Sequence, residues 1–152
     1  MIKEFVEAWD KNNTLLLENF KKEAPSSYED IVEKLVNIVI NPYLKDNDKF
    51  KYPVDSGLRI ENMTVIDDGD YQGTTIYIIP FDTYQPCTDE YVFTSNYYGS
   101  CSGCDTFQNI EMRMDYDDET DKYIVTDNIA EEFHTLALHL LQSFKYLDTE
   151  ED

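Results

Sequence analysis

The spacing of apolar residues changes character between residues 43 and 57, and no single motif restricts the fold as much. Before that segment, Phe5, Val6, Trp9, Leu16, Leu17 and Phe20, and then Tyr28, Ile31, Leu35, Ile38 and Val39, recur at helical intervals. After it, Leu58, Ile60, Met63, Val65 and Ile66, the β-branched run 74–79 and the segment 91–94 read as short strands. The period returns to helical in Ile129, Phe133, Leu136, Ala137, Leu140, Leu141 and Phe144.

Boundaries follow from local chemistry. The spacing predicts a first helix over 3–23, interrupted near Asn12-Asn13, where Asn13 or Thr14 would cap a second half. Ser26 and Glu29 have capping-box spacing at the head of a helix over about 28–41, which Pro42 is expected to end. Strands are predicted over 58–67, 74–79 and 91–94. Asp67-Asp68-Gly69-Asp70-Tyr71-Gln72-Gly73 forms the first turn. A short helix over 105–113, a turn over 115–121, a short strand over 123–126 and a helix over 128–146 follow. Links too short for crossovers make the strands antiparallel. The expectation is an α+β domain in the order ααβββαα. Its small antiparallel sheet has three strands, or four with 123–126, and is covered by helices. Residues 1–147 read as one domain and 148–152 as an acidic tail.

Charge narrows the partners. The 152 residues hold 32 carboxylates against 12 lysines and arginines, a net charge of −20. Such a chain repels nucleic acid and anionic membranes and favours a basic partner surface. With 41% hydrophobic and 14% aromatic residues it is too apolar for a disordered acidic tail protein. The opening MIKEFVEAW reads as the start of an amphipathic helix and not as a signal peptide, and no apolar run is long enough to span a membrane. Three cysteines without a secretion signal imply reduced thiols in the cytoplasm.

The surface expected at this mass is roughly 8,000 Å². Evenly spread, 20 net charges would stand about 20 Å apart, well beyond the ~8 Å Debye length of physiological salt. Acidity therefore becomes recognition only where carboxylates cluster. They do so at Asp67, Asp68 and Asp70, at Asp115, Asp117, Asp118, Glu119 and Asp121, and in the tail 148–152. Tyr71, Tyr116 and Tyr123 stand among them and supply contact area with a polar tip. The first two groups, with Tyr71 and Tyr116, are the candidate partner-binding residues.

Cys101-Ser102-Gly103-Cys104 is the sharpest local signal. It fits a tight turn, half of a zinc site, or a redox pair, and the turn is the favoured reading. Zinc would need further ligands from Cys87, His134, His139 or a carboxylate, and no second Cys-x-x-Cys exists. His134 and His139, five residues apart on one helix, point about 140° apart and cannot chelate together. Glu131 and His134 have the Glu-x-x-His spacing of di-iron bundles without the required second copy. Asp67–Asp70 lacks calcium-loop spacing, and no nucleophile elbow, phosphate loop or zinc-protease motif is present. The sequence supports neither an enzyme nor a cofactor.

The strings DDGDYQG, IPFDTYQP and YYGSCSGCDTFQ, followed by LALHLLQ, resemble a group of small acidic proteins of tailed bacteriophages and prophages. The likeness runs from the second helix onward and is most specific at residues 99–105; Cys87 is not part of it, which weakens a three-cysteine zinc site. The resemblance implies a setting in the cytoplasm of an infected bacterial cell. That setting, taken with the clustered acids and their tyrosines, leads to the expectation of an inhibitor or modulator of a host protein with a basic, nucleic-acid-binding surface, engaged by imitation of nucleic acid charge. A homo-oligomeric or virion-associated part is the other expectation.

Overall fold

The four-stranded antiparallel sheet has the order β1-β2-β3-β6 and is built from β1 (Thr64–Asp67), β2 (Gly73–Pro80), β3 (Tyr91–Tyr98) and β6 (Lys145–Tyr146). The computed structural model describes residues 1–147; the acidic tail 148–152 lies outside the described residues. Helices α1 (Lys3–Lys22), α2 (Tyr28–Lys34), α3 (Asn41–Lys45), α4 (Thr106–Met112) and α5 (Asp127–Gln142) complete the layer. A π-helical stretch, Leu35–Ile40, fuses α2 and α3 into one rod, so the described residues form four helical rods. The α+β class and the antiparallel sheet are as the sequence indicates. Among the described residues no helix is long and apolar enough to cross a membrane.

The core lies between the helices and one face of the sheet. Phe5, Ala8, Trp9, Leu16 and Phe20 of α1 meet Phe133, Ala137, Leu140 and Leu141 of α5 over Tyr77, Ile79 and Val92. Thr94, on the same sheet face, donates Oγ1 to the Leu140 carbonyl at 2.7 Å and so satisfies a buried hydroxyl.

Several boundaries differ from expectation, each for a physical reason. The first helix is not interrupted at Asn12-Asn13. Asn12 is buried and donates Nδ2 to the Val39 carbonyl at 3.0 Å, while Asn13 bonds the Trp9 carbonyl of the preceding turn. The cap at the second helix is Ser27, not Ser26: its hydroxyl accepts from Asp30 N, and Asp30 accepts from Ser26 N. Burial alone would raise the Asp30 carboxyl, but Lys34 at 2.8 Å and the Ser26 N–H outweigh it and hold it below the usual range.

Nor does Pro42 end the second helix, which continues to Lys45. Asn41 N–H reaches back five residues to Val36 O, and this wider π turn accommodates a ring that would clash with an α-helical carbonyl. Asn41 then fixes the rod to the sheet layer, accepting from Leu58 N at 2.8 Å and donating to Leu58 O at 2.9 Å.

The strand expected over 58–67 is only Thr64–Asp67, because Ile60–Asn62 coils as a 3-10 turn. The turn expected over 115–121 is a separate hairpin of β4 (Asp115–Asp117) and β5 (Lys122–Ile124). Residues 123–126 therefore do not supply the sheet's fourth strand. That strand comes from the end expected to be helical: α5 stops at Gln142, Phe144 turns into the core, and Lys145 and Tyr146 pair with Phe93 and Val92.

Candidate functional site

Among the described residues the helices cover only one face of the sheet. Alternation along the strands places Ile66, Ile76, Ile78, Phe93 and Tyr97 on the other. Ile66 stands opposite Ile76, and Ile78 opposite Phe93. None of the five belongs to the core cluster, and Ile66 and Tyr97 are 45% and 55% exposed. At the β6 edge, Phe93 shares a hollow of about 500 Å³ with Met1, Lys3 and Lys145.

The acidic turn lies at the end of the β1–β2 pair, where the same alternation places Asp67 and Tyr98 on the helix-covered side. Asp67 accepts from Gly69 N at 3.0 Å and from the Tyr98 hydroxyl at 2.5 Å, and Asp68 accepts from Thr74 N at 2.7 Å. Gly69 is required there, since a Cβ would lie 2.0 Å from the Gln72 carbonyl oxygen. The Tyr98 hydroxyl is pushed up to about 12, first by the Asp67 hydrogen bond, then by burial and the charges of Asp67, Asp68 and Asp70. One oxygen each of Asp67 and Asp68 thus holds the turn together, and Asp70 and Tyr71 are exposed.

The second acidic group sits on the β4–β5 hairpin. Asp117 accepts from Glu119 N at 3.0 Å and faces Lys122 across the hairpin. Tyr116 donates to Asp121, which raises the tyrosine hydroxyl, and its ring meets Tyr123 edge-on at 5.4 Å. Asp115, Asp118 and Glu119 are exposed.

The two groups flank the 99–105 loop. Gly73, which closes the acidic turn, pairs with Tyr98 immediately before the loop. On the hairpin side, Tyr123 lines a shallow hollow with Ser102 and Met112. The loop is anchored from beneath by Asp105, 5% exposed. Asp105 Oδ1 accepts from the Tyr28 hydroxyl at 2.9 Å and Gln108 N at 3.1 Å, and Oδ2 accepts from Gly99 N at 3.0 Å. Gln108 returns a hydrogen bond to the Gly99 carbonyl at 3.0 Å, and the Tyr28 hydroxyl accepts from Phe107 N at 3.1 Å. Burial, the largest influence, raises the Tyr28 hydroxyl above its ordinary range.

Cys101 and Cys104 are exposed with their sulfurs 3.1 Å apart. Cys87 does not join them. Its sulfur groups with carboxylate oxygens of Asp89 and Glu90 on the following turn, all within 4.8 Å. Among the described residues, that is the sole cluster of three or more metal-ligating side chains, and it excludes Cys101 and Cys104. The three-cysteine zinc arrangement is therefore not assembled.

The histidines are separate, as their spacing requires. His139 is exposed, in a hollow that also touches Cys104. His134 packs on Trp9, ring centres 4.6 Å apart, with Nε2 bonded to the Asn13 carbonyl at 3.1 Å. A carbonyl only accepts, so Nε2 carries the proton. Burial pushes this imidazole below its ordinary 6.5, against smaller opposing effects of the Asn13 carbonyl and Glu131. The unfolded chain then takes up the proton first as pH falls. The stability tied to the neutral ring is complete above about 6.5 and is lost as pH drops toward the folded value. The stability advantage of the wild type over His134→Gln should shrink between about pH 7.5 and pH 5.5 in urea unfolding. An advantage constant across that interval would contradict this role.

A hollow of about 660 Å³ lies between α4 and α5 and includes Arg113, Glu131, Glu132 and His139. Glu132 clamps Arg113 through two bonds of 2.8 and 2.5 Å, which lowers the carboxyl and raises the guanidinium. No free guanidinium is left there for an anionic ligand.

The chain matches no protein-family model, no curated protein and no solved structure. Two features escaped the sequence reading. Asp105 and Gln108 stand three apart, a readable cap signal, but the bond to Tyr28 depends on a segment 77 residues away. The uncovered face had a signal too: Ile76-Tyr77-Ile78-Ile79 is apolar at four successive positions, whereas a strand with one solvated face alternates.

Proposed function

We propose that the chain is a non-enzymatic binding protein that engages a host protein through that protein's basic, nucleic-acid-handling surface. The observation that carries this reading is the uncovered sheet face, with the Asp67–Asp70 turn at the end of the β1–β2 pair that builds it. Ile66, Ile76, Ile78, Phe93 and Tyr97 offer an apolar centre, and the acids offer a charged rim, the division found in protein interfaces. A strand apolar on both faces is expected to be covered on both. Charge complementarity selects the occupant: at −20, another copy of this chain or a nucleic acid is repelled, whereas a basic protein is attracted. The phage setting implied by residues 99–105 makes that partner a protein of the bacterial host, held without turnover.

Three baits test it: the wild type, the triple variant Asp67→Asn/Asp68→Asn/Asp70→Asn, and Ile76→Ser. The protein retained by the wild type from a bacterial lysate is purified and titrated. Its affinity should fall at least about tenfold from about 50 to about 500 mM salt, and duplex DNA should compete. Both variants should bind more weakly. Affinity flat with salt, or unchanged in both variants, would overturn the reading.

A further inference from the structure

The loop between β3 and α4 brings two sulfurs together in a way the binding reading does not use. Cys104 N–H bonds to the Cys101 carbonyl at 3.1 Å, closing a tight turn that holds the two Cα atoms near each other. Their sulfurs are 3.1 Å apart, so closure to a bond of about 2.05 Å needs a movement of about 1 Å. Gly99 makes room for this. A Cβ there would lie 2.6 Å from Cys104 Sγ and 2.4 Å from the Cys104 carbonyl oxygen.

The pair is also asymmetric. Cys104 Sγ accepts from Cys101 N–H at 3.3 Å and lies 3.9 Å from the Ser100 hydroxyl. The Cys101 thiol first, then the Cys101 N–H, with a smaller contribution from Ser100, hold the Cys104 thiol below its ordinary range against a burial effect. Cys87 is the opposite case: Glu90, followed by burial and Asp89, raises its thiol.

We propose that Cys101 and Cys104 form a thiol–disulfide exchange site for neutral or cationic aliphatic disulfides, with Cys104 as the attacking sulfur and Cys101 as the resolving one. The Cys104 thiolate attacks one sulfur of the disulfide RSSR. The S–S bond breaks, a mixed disulfide forms on Cys104, and RS⁻ leaves and takes up the proton released when Cys104 ionised. Cys101 then loses its proton and attacks the Cys104 sulfur. The mixed disulfide breaks, the Cys101–Cys104 bond forms, and the second RS⁻ leaves and is protonated. Two cysteine thiols are oxidised by two electrons and one RSSR is reduced to two RSH. Selectivity comes from the net charge of −20, with Asp67 bonded to Tyr98 just before the loop and Glu111 in the hollow beside Ser102, which attracts cationic disulfides and repels anionic ones.

The test treats the reduced full-length chain with cystamine, a dication, or with glutathione disulfide, an anion, and follows products by intact-mass and peptide mass spectrometry. The wild type should yield a Cys101–Cys104 disulfide with Cys87 still free. Cys101→Ser should retain the cysteamine half of cystamine as a mixed disulfide on Cys104, and Cys104→Ser should react about tenfold more slowly. Cystamine should outpace glutathione disulfide about tenfold at low salt, a preference that shrinks at about 500 mM. Wild-type product mapping needs no substitution. The proposal is overturned by modification of Cys87 first, by a mixed disulfide that accumulates without closing, or by equal rates in the two serine variants. None of these results bears on partner binding, so the two proposals fail separately.

Discussion

Asp105→Ala should lower the free energy of unfolding by about 3–5 kcal/mol, the range found when one partner of a buried polar network is removed. One carboxyl group binds the hydroxyl of Tyr28 at the head of α2, the backbone of Gly99 at the end of β3, and Gln108 N in the first turn of α4. Loss of the helix cap alone costs about 1 kcal/mol. The remainder comes from the Gly99 and Tyr28 donors, each left buried without an acceptor at about 1–3 kcal/mol. Asp105→Asn keeps an acceptor for the cap and should lose less. Tyr28→Phe removes one bond and should cost about 1 kcal/mol. Urea unfolding of the three variants provides the measurement. A loss in Asp105→Ala no larger than in Tyr28→Phe would mean that water replaces the network at little cost. Because Asp105 is the platform beneath Cys101 and Cys104, the same variant should also blunt the difference in reactivity between those thiols.

The other large effect is expected at Phe133, fully buried on α5. Its ring lies 6.1 Å from Phe20 of α1 and 5.4 Å from Phe107 of α4, and Phe107 lies 5.3 Å from Tyr28. This aromatic file joins all four helical rods and ends at the hydroxyl that binds Asp105. Phe133→Ala should cost about 3–5 kcal/mol, from lost burial and from a cavity that rigid rings cannot collapse to fill. At this chain length the melting temperature should fall by roughly 10 °C or more. Phe133→Leu fills most of the space and should recover more than half of the loss; recovery of less would show that ring geometry matters beyond volume. The two sites share Phe107 and Tyr28 as neighbours. The double variant should therefore depart from additivity by more than the ~0.5 kcal/mol typical of independent sites.

Much of the architecture was legible in the chain. The α1 and α5 faces follow directly from apolar spacing, because one stripe of each helix must leave water. The acidic turn is equally local: Asp67, Asp68 and Gly69 bond to groups within six residues of themselves, apart from the Tyr98 contact. Where the reading failed, the deciding partner was distant in sequence, except at Pro42, where it was local. Asn12 and Asn13 look like a helix break, yet Val39, 27 residues on, gives Asn12 a buried acceptor. Pro42 looks like a stop, yet the π turn before it makes room for the ring. The segment after α5 continues a helical pattern, yet burial of Phe144 turns the chain so that Lys145 and Tyr146 pair with β3.

By itself the sequence determined the α+β class, the antiparallel sheet, the places where carboxylates cluster and the proximity of two thiols, because each depends on residues close along the chain. Tertiary structure alone decided which strand completes the sheet and which of its faces the helices leave uncovered. It also decided that Cys87 stands apart from Cys101 and Cys104, and that the elements bearing the acids of 67–70 and 115–121 border one loop from two sides. The reason is that packing acts between surfaces: a face is covered or left open according to elements far away in sequence, which residue spacing alone does not encode.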